Sequence, residues 1–139
     1  MARIPKLLGW TAVAASGYGV FWYAANRSIY HPLRYPAGLW EYRDSIGASD
    51  VELLSGGRVR LHGWWVPSPG ARLATLYLHG NAGNLTHRLR ALQRIREAGS
   101  SVLILDYRGY GKSEGRPTEK GLYEDATAGY RHLLEKGYP

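Results

Sequence analysis

Apolar residues fall along the 139-residue chain in three patterns: one long unbroken run near the start, short runs of strand length in the middle, and helical stripes in the second half. The long run covers residues 7–25, without a charge, with Arg3 and Lys6 before it and Asn26 and Arg27 after it. As a helix it reaches about 28 Å, close to the hydrocarbon thickness of a bilayer. Trp10 near one end and Phe21, Trp22 and Tyr23 at the other are placed like an aromatic belt. Ala12, Ala15, Ser16 and Gly19 put small residues at near-helical spacing. A cleaved signal peptide has an apolar core of roughly 7–15 residues and small residues just before its cut, whereas a cut after Ala25 leaves Tyr23 there. A buried soluble helix is the remaining alternative, but the run has no polar face and opens the chain behind the basic Arg3 and Lys6. The pattern therefore predicts a basic leader at 1–6 and an uncleaved transmembrane anchor at 7–25, with the lipid bilayer as its partner. Arg3, Lys6 and the terminal amine favour a cytoplasmic start and a globular part outside the cytoplasm, although Arg27 and Arg34 follow soon after the run.

Residues 26–48 read as a linker, because Pro32, Pro36 and Gly38 interrupt any period. The aromatics Tyr30, Tyr35, Trp40 and Tyr42 within it suit either a membrane interface or the edge of a domain. A domain is predicted over 49–139. Runs 50–55 and 58–66 are rich in β-formers, and Gly56-Gly57 between them supplies the positive φ angles of a tight hairpin. Pro67-Ser68-Pro69-Gly70 then forces a turn. Runs 73–78 and 102–105 are short and apolar on both faces, as buried parallel strands are. Between them Leu85, Leu89, Leu92 and Ile95 recur at helical spacing, with Arg88, Arg90, Arg94 and Arg96 outward. Asn84 or Thr86 caps that helix and Gly99 ends it. A second helix is predicted from 118 to about 136, with Leu122, Ala126, Tyr130 and Leu133 as its buried stripe. The order describes an α/β fold: an antiparallel hairpin leading into a parallel βαβα series. Four strands with one edge left open read as an unfinished sheet.

Composition narrows the chemistry. No cysteine is present, which removes disulfides, thiolate metal sites and cysteine nucleophiles together. His62, His87 and His132 show no ligand spacing with a carboxylate, so neither a metal nor a cofactor is expected. The net charge of +7 arises from 18 basic residues against 11 acidic ones. The arginines are scattered, and the pairs Arg58/Arg60, Arg88/Arg90 and Arg94/Arg96 are not interleaved with aromatics, which argues against a nucleic-acid partner.

Candidate chemistry sits where the strands end. The strand at 73–78 runs into His79-Gly80-Asn81-Ala82-Gly83-Asn84, with a helix opening directly behind it. Small residues there let the backbone turn sharply and expose N–H groups at a helix N-terminus, where negative charge is favoured. Read alone, the stretch is equally a glycine-rich turn holding a helix to a sheet. The next strand ends in Asp106-Tyr107-Arg108-Gly109-Tyr110-Gly111-Lys112-Ser113-Glu114-Gly115. Its Gly111-Lys112-Ser113 imitates a phosphate loop, but that loop needs glycine where Asp106 stands. Residues 111–115 also match G-x-S-x-G letter by letter. A nucleophile elbow, however, places its serine on a strained turn that joins strand directly to helix. Here the strand ends near Asp106 and helical periodicity resumes only at Thr118, so Ser113 is expected in a loop and not as a nucleophile. Asp106 is expected to organise that loop by hydrogen bonds, and His79 to anchor its own turn from a buried position.

The two motifs, at the ends of successive strands and a helix apart, resemble the oxyanion loop and the D-x-R-G-x-G-x-S loop of α/β-hydrolases. HGNAGN with DYRGYGKSEG looks most like the membrane-anchored BEM46-like group, which includes depalmitoylase- and lipase-like members. Tyr30-His31-Pro32 also looks like that group's lead-in. The likeness covers about residues 27–139. It implies the N-terminal portion of an α/β-hydrolase fold behind one transmembrane helix, and a serine hydrolase of ester, thioester or amide bonds with a small-molecule or lipid-like substrate. It further implies that Asn81 contributes one amide of the oxyanion hole, supported by His79, Gly80, Gly83 and Asn84. Asp106, Arg108, Gly109, Gly111 and Ser113 would then build the neighbouring structural loop. By the same likeness the serine, acid and histidine of the triad lie beyond residue 139, so the chain holds no catalytic residue and is expected to be inactive alone. The alternatives are a non-catalytic membrane protein and one half of a split hydrolase that needs a partner chain.

Overall fold

The structure, a computed structural model, describes residues 16–21, 23–25 and 28–138. The chain divides into two compact units, Met1–His31 and Pro32–Pro139. In the first, residues 16–21, 23–25 and 28–29 are helical. Among the described residues no helix is long and apolar enough to cross a membrane. The leader 1–6, and residues 7–15 and 22 of the expected anchor, lie outside the described residues.

In the second unit β1 (Ser49–Ser55) and β2 (Val59–Val66) form an antiparallel hairpin, in register from Ser49↔Trp65 to Ser55↔Val59. Gly56 and Gly57 take φ of 54° and 70°, and the Arg58 N–H closes the turn on the Ser55 carbonyl. Two successive positive φ angles give the turn a twist that matches its strands. β3 (Ala74–Leu78) and β4 (Ser101–Leu105) are parallel, and β4 also pairs antiparallel with β2. The strand order is therefore β1-β2-β4-β3. A 3₁₀ turn, Leu85–Arg88, leads into α1 (Leu89–Glu97), which carries the crossover from β3 to β4. α2 (Glu119–Glu135) follows β4, with Thr118 as its N-cap. This is the predicted α/β order, and the bounds of these four strands lie within one residue of their expected places.

β4 is buried along its whole length because the sheet is covered on both faces. Val102 and Ile104 join Trp64, Val66, Leu85, Leu92, Ile46 and Ala48 in one core, whereas Leu103 and Leu105 meet Leu133 in another. Alternate residues of one strand feeding two cores is the physical content of an unbroken apolar run. Each such fully buried aliphatic side chain contributes about 1.5–3 kcal/mol.

Two expectations change. The reading of 26–48 as a linker fails from Pro32 onward, where the chain is part of the folded unit. The 3₁₀ turns Trp40–Tyr42 and Asp44–Ile46 bring Ile46 into the core and set Trp40 edge-on to Trp64, with centroids 5.9 Å apart. Its prolines and glycines bend the chain round the domain edge, which is why no period survives. On α2 the buried stripe is Gly121, Asp125, Gly129 and Leu133, and Tyr130 is 54% exposed. The helix lies so close to the sheet that a Cβ on Gly129 would stand 2.6 Å from Leu105 Cδ1. The larger side chains at 122, 126 and 130 do not fit that gap.

Candidate functional site

Because β3 and β4 are parallel and end together at Leu78 and Leu105, the loops 79–84 and 106–115 leave the sheet at the same edge. The His79 side chain is fully buried, and its ring packs against Tyr107 and Tyr110 with centroids 4.9 and 5.4 Å away. Its Nδ1 lies 2.7 Å from the Gly80 carbonyl oxygen. A carbonyl can only accept, so Nδ1 carries the proton of this bond. Nε2 stands 3.4 Å from Asp106 Oδ1 without hydrogen-bond geometry.

Gly83 turns the chain with φ 85°, and Asn84 caps the helix behind it. The Asn84 Oδ1 accepts from the Thr86 N–H and hydroxyl, and the Asn84 N–H donates to His87 Nδ1. The Leu85 N–H donates to Asp106 Oδ1 at 2.8 Å. A carboxylate from the second loop therefore satisfies one of the amides that a helix start leaves without an intrahelical acceptor.

Asp106 is fully buried, and its own carbonyl accepts the Ser113 hydroxyl at 2.6 Å. Ser113 Oγ in turn accepts from the His62 N–H at 2.9 Å. That hydroxyl is committed both as donor and as acceptor, and the next helix begins only at Glu119. Ser113 thus sits in a loop, on no strand-to-helix elbow. Gly109, Gly111 and Gly115 have φ of 84°, 47° and 81°.

Arg108 points away from this cluster towards α2. Its guanidinium binds the Asp125 carboxylate at 2.8–3.2 Å and also reaches Glu124 and Ser55, while its backbone N–H donates to Asp125 Oδ2. The bond to Asp125 holds the guanidinium above its ordinary value, against the opposing effect of burial. Burial, reinforced by the Asp125 charge, pushes the Tyr107 phenol up as well.

A strap, residues 33–39, runs between the two loops and bonds to both. The Leu33 N–H donates to the Gly83 carbonyl, and the Leu33 carbonyl accepts from the Gly111 N–H and from Asn84 Nδ2. The Tyr35 N–H donates back to Gly111, and the Leu39 N–H to Thr86 Oγ1. The Lys112 ammonium rests 4.9 Å above the Trp40 ring and 5.4 Å above that of Tyr35. Tyr110 Oη donates to the Asn81 carbonyl at 2.7 Å.

The fold therefore gathers His79, Gly80, Asn81, Gly83, Asn84, Asp106, Gly109, Gly111 and Ser113 at one end of the sheet, and sends Arg108 to the α2 side. Sequence reasoning missed Tyr110, Asp125 and Leu33. Asp125 is detectable in the sequence only as an acidic residue on the inner face of α2, and the apolar count puts that face elsewhere. Among the described residues no group of three His, Cys, Asp or Glu is placed to hold a metal ion.

No protein-family model matches the sequence. It is 33% identical over 124 residues to protein bem46 of Schizosaccharomyces pombe, covering 83% of this chain and 42% of that protein. It is 42% identical over 87 residues to the α/β-hydrolase domain-containing protein WAV2 of Arabidopsis thaliana, covering 60% of this chain and 28% of that one. An esterase of Pyrococcus furiosus superposes with a TM-score of 0.62 at 32% identity, over 77% of this chain and 42% of its own. Its relatives and structural neighbours include α/β-hydrolases, and it shares their fold. It spans less than half the length of the curated relatives it matches. Within the chain the loops 79–84 and 106–115 lie at the carboxyl ends of parallel strands, the edge at which open α/β sheets bind their ligands.

Proposed function

We propose that the chain supplies one wall of an acyl-transfer site, with the Asn81 amide as one oxyanion donor of a serine hydrolase acting on ester, thioester or amide bonds. The carrying observation is the turn His79-Gly80-Asn81 at the carboxyl end of β3, tied to the β4 loop, with Asn81 exposed at the sheet edge. When a nucleophile attacks a carbonyl held there, negative charge develops on the carbonyl oxygen. An aimed backbone amide is worth about 3 kcal/mol to that state. The second donor, the serine, the acid and the histidine come from polypeptide other than these 139 residues, in keeping with the usual order of that triad. Ser113 does not serve, since its proton is given to the Asp106 carbonyl.

The chain alone is accordingly inactive. Purified chain incubated with a short-chain nitrophenyl ester is expected to show background hydrolysis only, and a fluorophosphonate probe to label no serine. Turnover above background, or a label on Ser113, overturns the reading.

Residues 7–25 act in this proposal as an uncleaved anchor, with the globular part outside the cytoplasm and proximity to the bilayer favouring a lipid-like substrate. The support is the uncharged length of the run and its flanking Arg3 and Lys6. Alkaline carbonate should leave the chain in the membrane pellet, and a phosphatase fused after Pro139 should be active outside the cytoplasm. Release into the supernatant sinks the anchor, and a silent phosphatase sinks the orientation.

A further inference from the structure

The Asn81 N–H and the Gly80 carbonyl belong to the same peptide unit. In a planar trans peptide those two groups point in opposite directions, so fixing one fixes the other. The His79 ring takes the Gly80 carbonyl at 2.7 Å. The following peptide unit is held as well, because the Asn81 carbonyl accepts from Tyr110 Oη at 2.7 Å. Residue 81 therefore has a side-chain tether on the peptide plane before it and on the plane after it.

Both tethers are themselves buried. The His79 side chain is wholly enclosed against the rings of Tyr107 and Tyr110, with Nε2 towards Asp106. Tyr110 is completely buried. Gly80 by contrast restrains nothing: it has no side chain, and a Cβ built on it meets nothing within 4 Å. A peptide unit that follows a glycine has a wide choice of orientations, and a half-turn exchanges the amide for a carbonyl. A carbonyl aimed at a developing oxyanion repels it.

We infer that His79 and Tyr110 are positioning residues that hold the two peptide planes of Asn81 and so set the direction of its amide. His79 does this through the Gly80 carbonyl, and Tyr110 through the Asn81 carbonyl. The inference rests on the reading of the Asn81 amide as an oxyanion donor, and it names what aims that donor.

The test is heteronuclear NMR on the whole chain, which needs no turnover. His79 should show the Nδ1–H form in its ring ¹⁵N signals, and Asn81 a single sharp amide resonance. His79→Leu should shift that resonance and broaden or split it. His79→Asn, which keeps a donor near the Nδ1 position, should return it to the wild-type place. Tyr110→Phe should move the Ala82 amide, which shares its plane with the Asn81 carbonyl. A merely structural role would disturb core resonances in both His79 variants alike and give no rescue by Asn. An Nε2–H ring, or an unmoved Asn81 signal in folded His79→Leu, overturns the inference. If His79→Leu does not fold, the ring form and the Tyr110→Phe spectrum still decide. The two proposals fail separately. Asn81→Pro, made in a longer polypeptide that turns over ester, removes the donor itself. Unchanged turnover there defeats the oxyanion reading and leaves the peptide tethers standing.

Discussion

At Gly111 two requirements meet. Its φ of 47° lies in the left-handed region, and the Asp106 carboxylate occupies the place where a Cβ would go. Gly111→Ala must therefore displace either the loop or Asp106, and moving Asp106 takes away the acceptor of the Leu85 N–H. A loss of about 3 kcal/mol in urea unfolding is expected from strain and overpacking together, and a loss under about 0.5 kcal/mol, as at an ordinary surface site, would defeat the argument. Asp125 is held differently, by charge. It is fully buried against Arg108, whose side chain is 12% exposed. Removing one member of such a pair costs up to about 3–5 kcal/mol, and Glu124, 2.9 Å from the guanidinium, offsets part of that when Asp125 is the member removed. Asp125→Leu should show that loss, and Arg108→Met added to it should restore part of it, which a double-mutant cycle measures. The motif letters exposed Gly111 and Arg108 in the sequence. Asp125 carries no motif, and its partner stands 17 residues away.

Along α2, helix propensity and packing oppose each other. Alanine in place of a mid-helix glycine ordinarily stabilises by about 1 kcal/mol. At Gly129 the new Cβ would meet Leu105 Cδ1 at 2.6 Å and Leu76 Cδ1 at 2.9 Å, and overpacking costs about 1–3 kcal/mol. Gly129→Ala should thus be destabilising; a higher melting temperature would show that the helix does not approach so closely. His132 on the same helix is lowered from 6.5, chiefly by burial and then by the Lys136 charge, with Glu135 opposing. The unfolded chain takes up that proton more readily than the folded one, so acidification through 6.5 costs stability. His132→Asn should flatten this dependence when urea unfolding is compared on either side of that pH; an unchanged slope would put the effect elsewhere. β1 and β2 were legible from their β-formers and the Gly56-Gly57 turn, and β3 and β4 because short apolar runs bounded by turn residues suit buried strands. The α2 stripe was not, because Leu122, Ala126 and Tyr130 outweigh glycine on any hydrophobic count, while glycine marks the closest approach.

For the whole domain, the pair of loops could be read in advance and the strap between them could not. Periodicity reports regular elements. Residues 33–39 are irregular, and their bonds to the two loops, such as that from Asn84 Nδ2 to the Leu33 carbonyl across 51 positions, leave no local trace. The sheet order places β3 at one edge and β1 at the other. β1 carries Asp50 and Glu52, charges that discourage a foreign strand, whereas β3 reads Ala-Thr-Leu-Tyr-Leu without a charge. Among the described residues nothing pairs with the outer side of β3. Uncharged edge backbone of this kind invites a second chain. These 139 residues, expressed by themselves, are therefore expected to self-associate through β3, with a mass that rises with concentration in light scattering. Leu78 is 42% exposed at the end of that strand, so Leu78→Lys adds a charge at the edge without opening the core. Any association through residues 7–25 is common to both proteins and cancels in the comparison. A lower mass for the variant assigns the contact to β3, and equal masses at every concentration remove it.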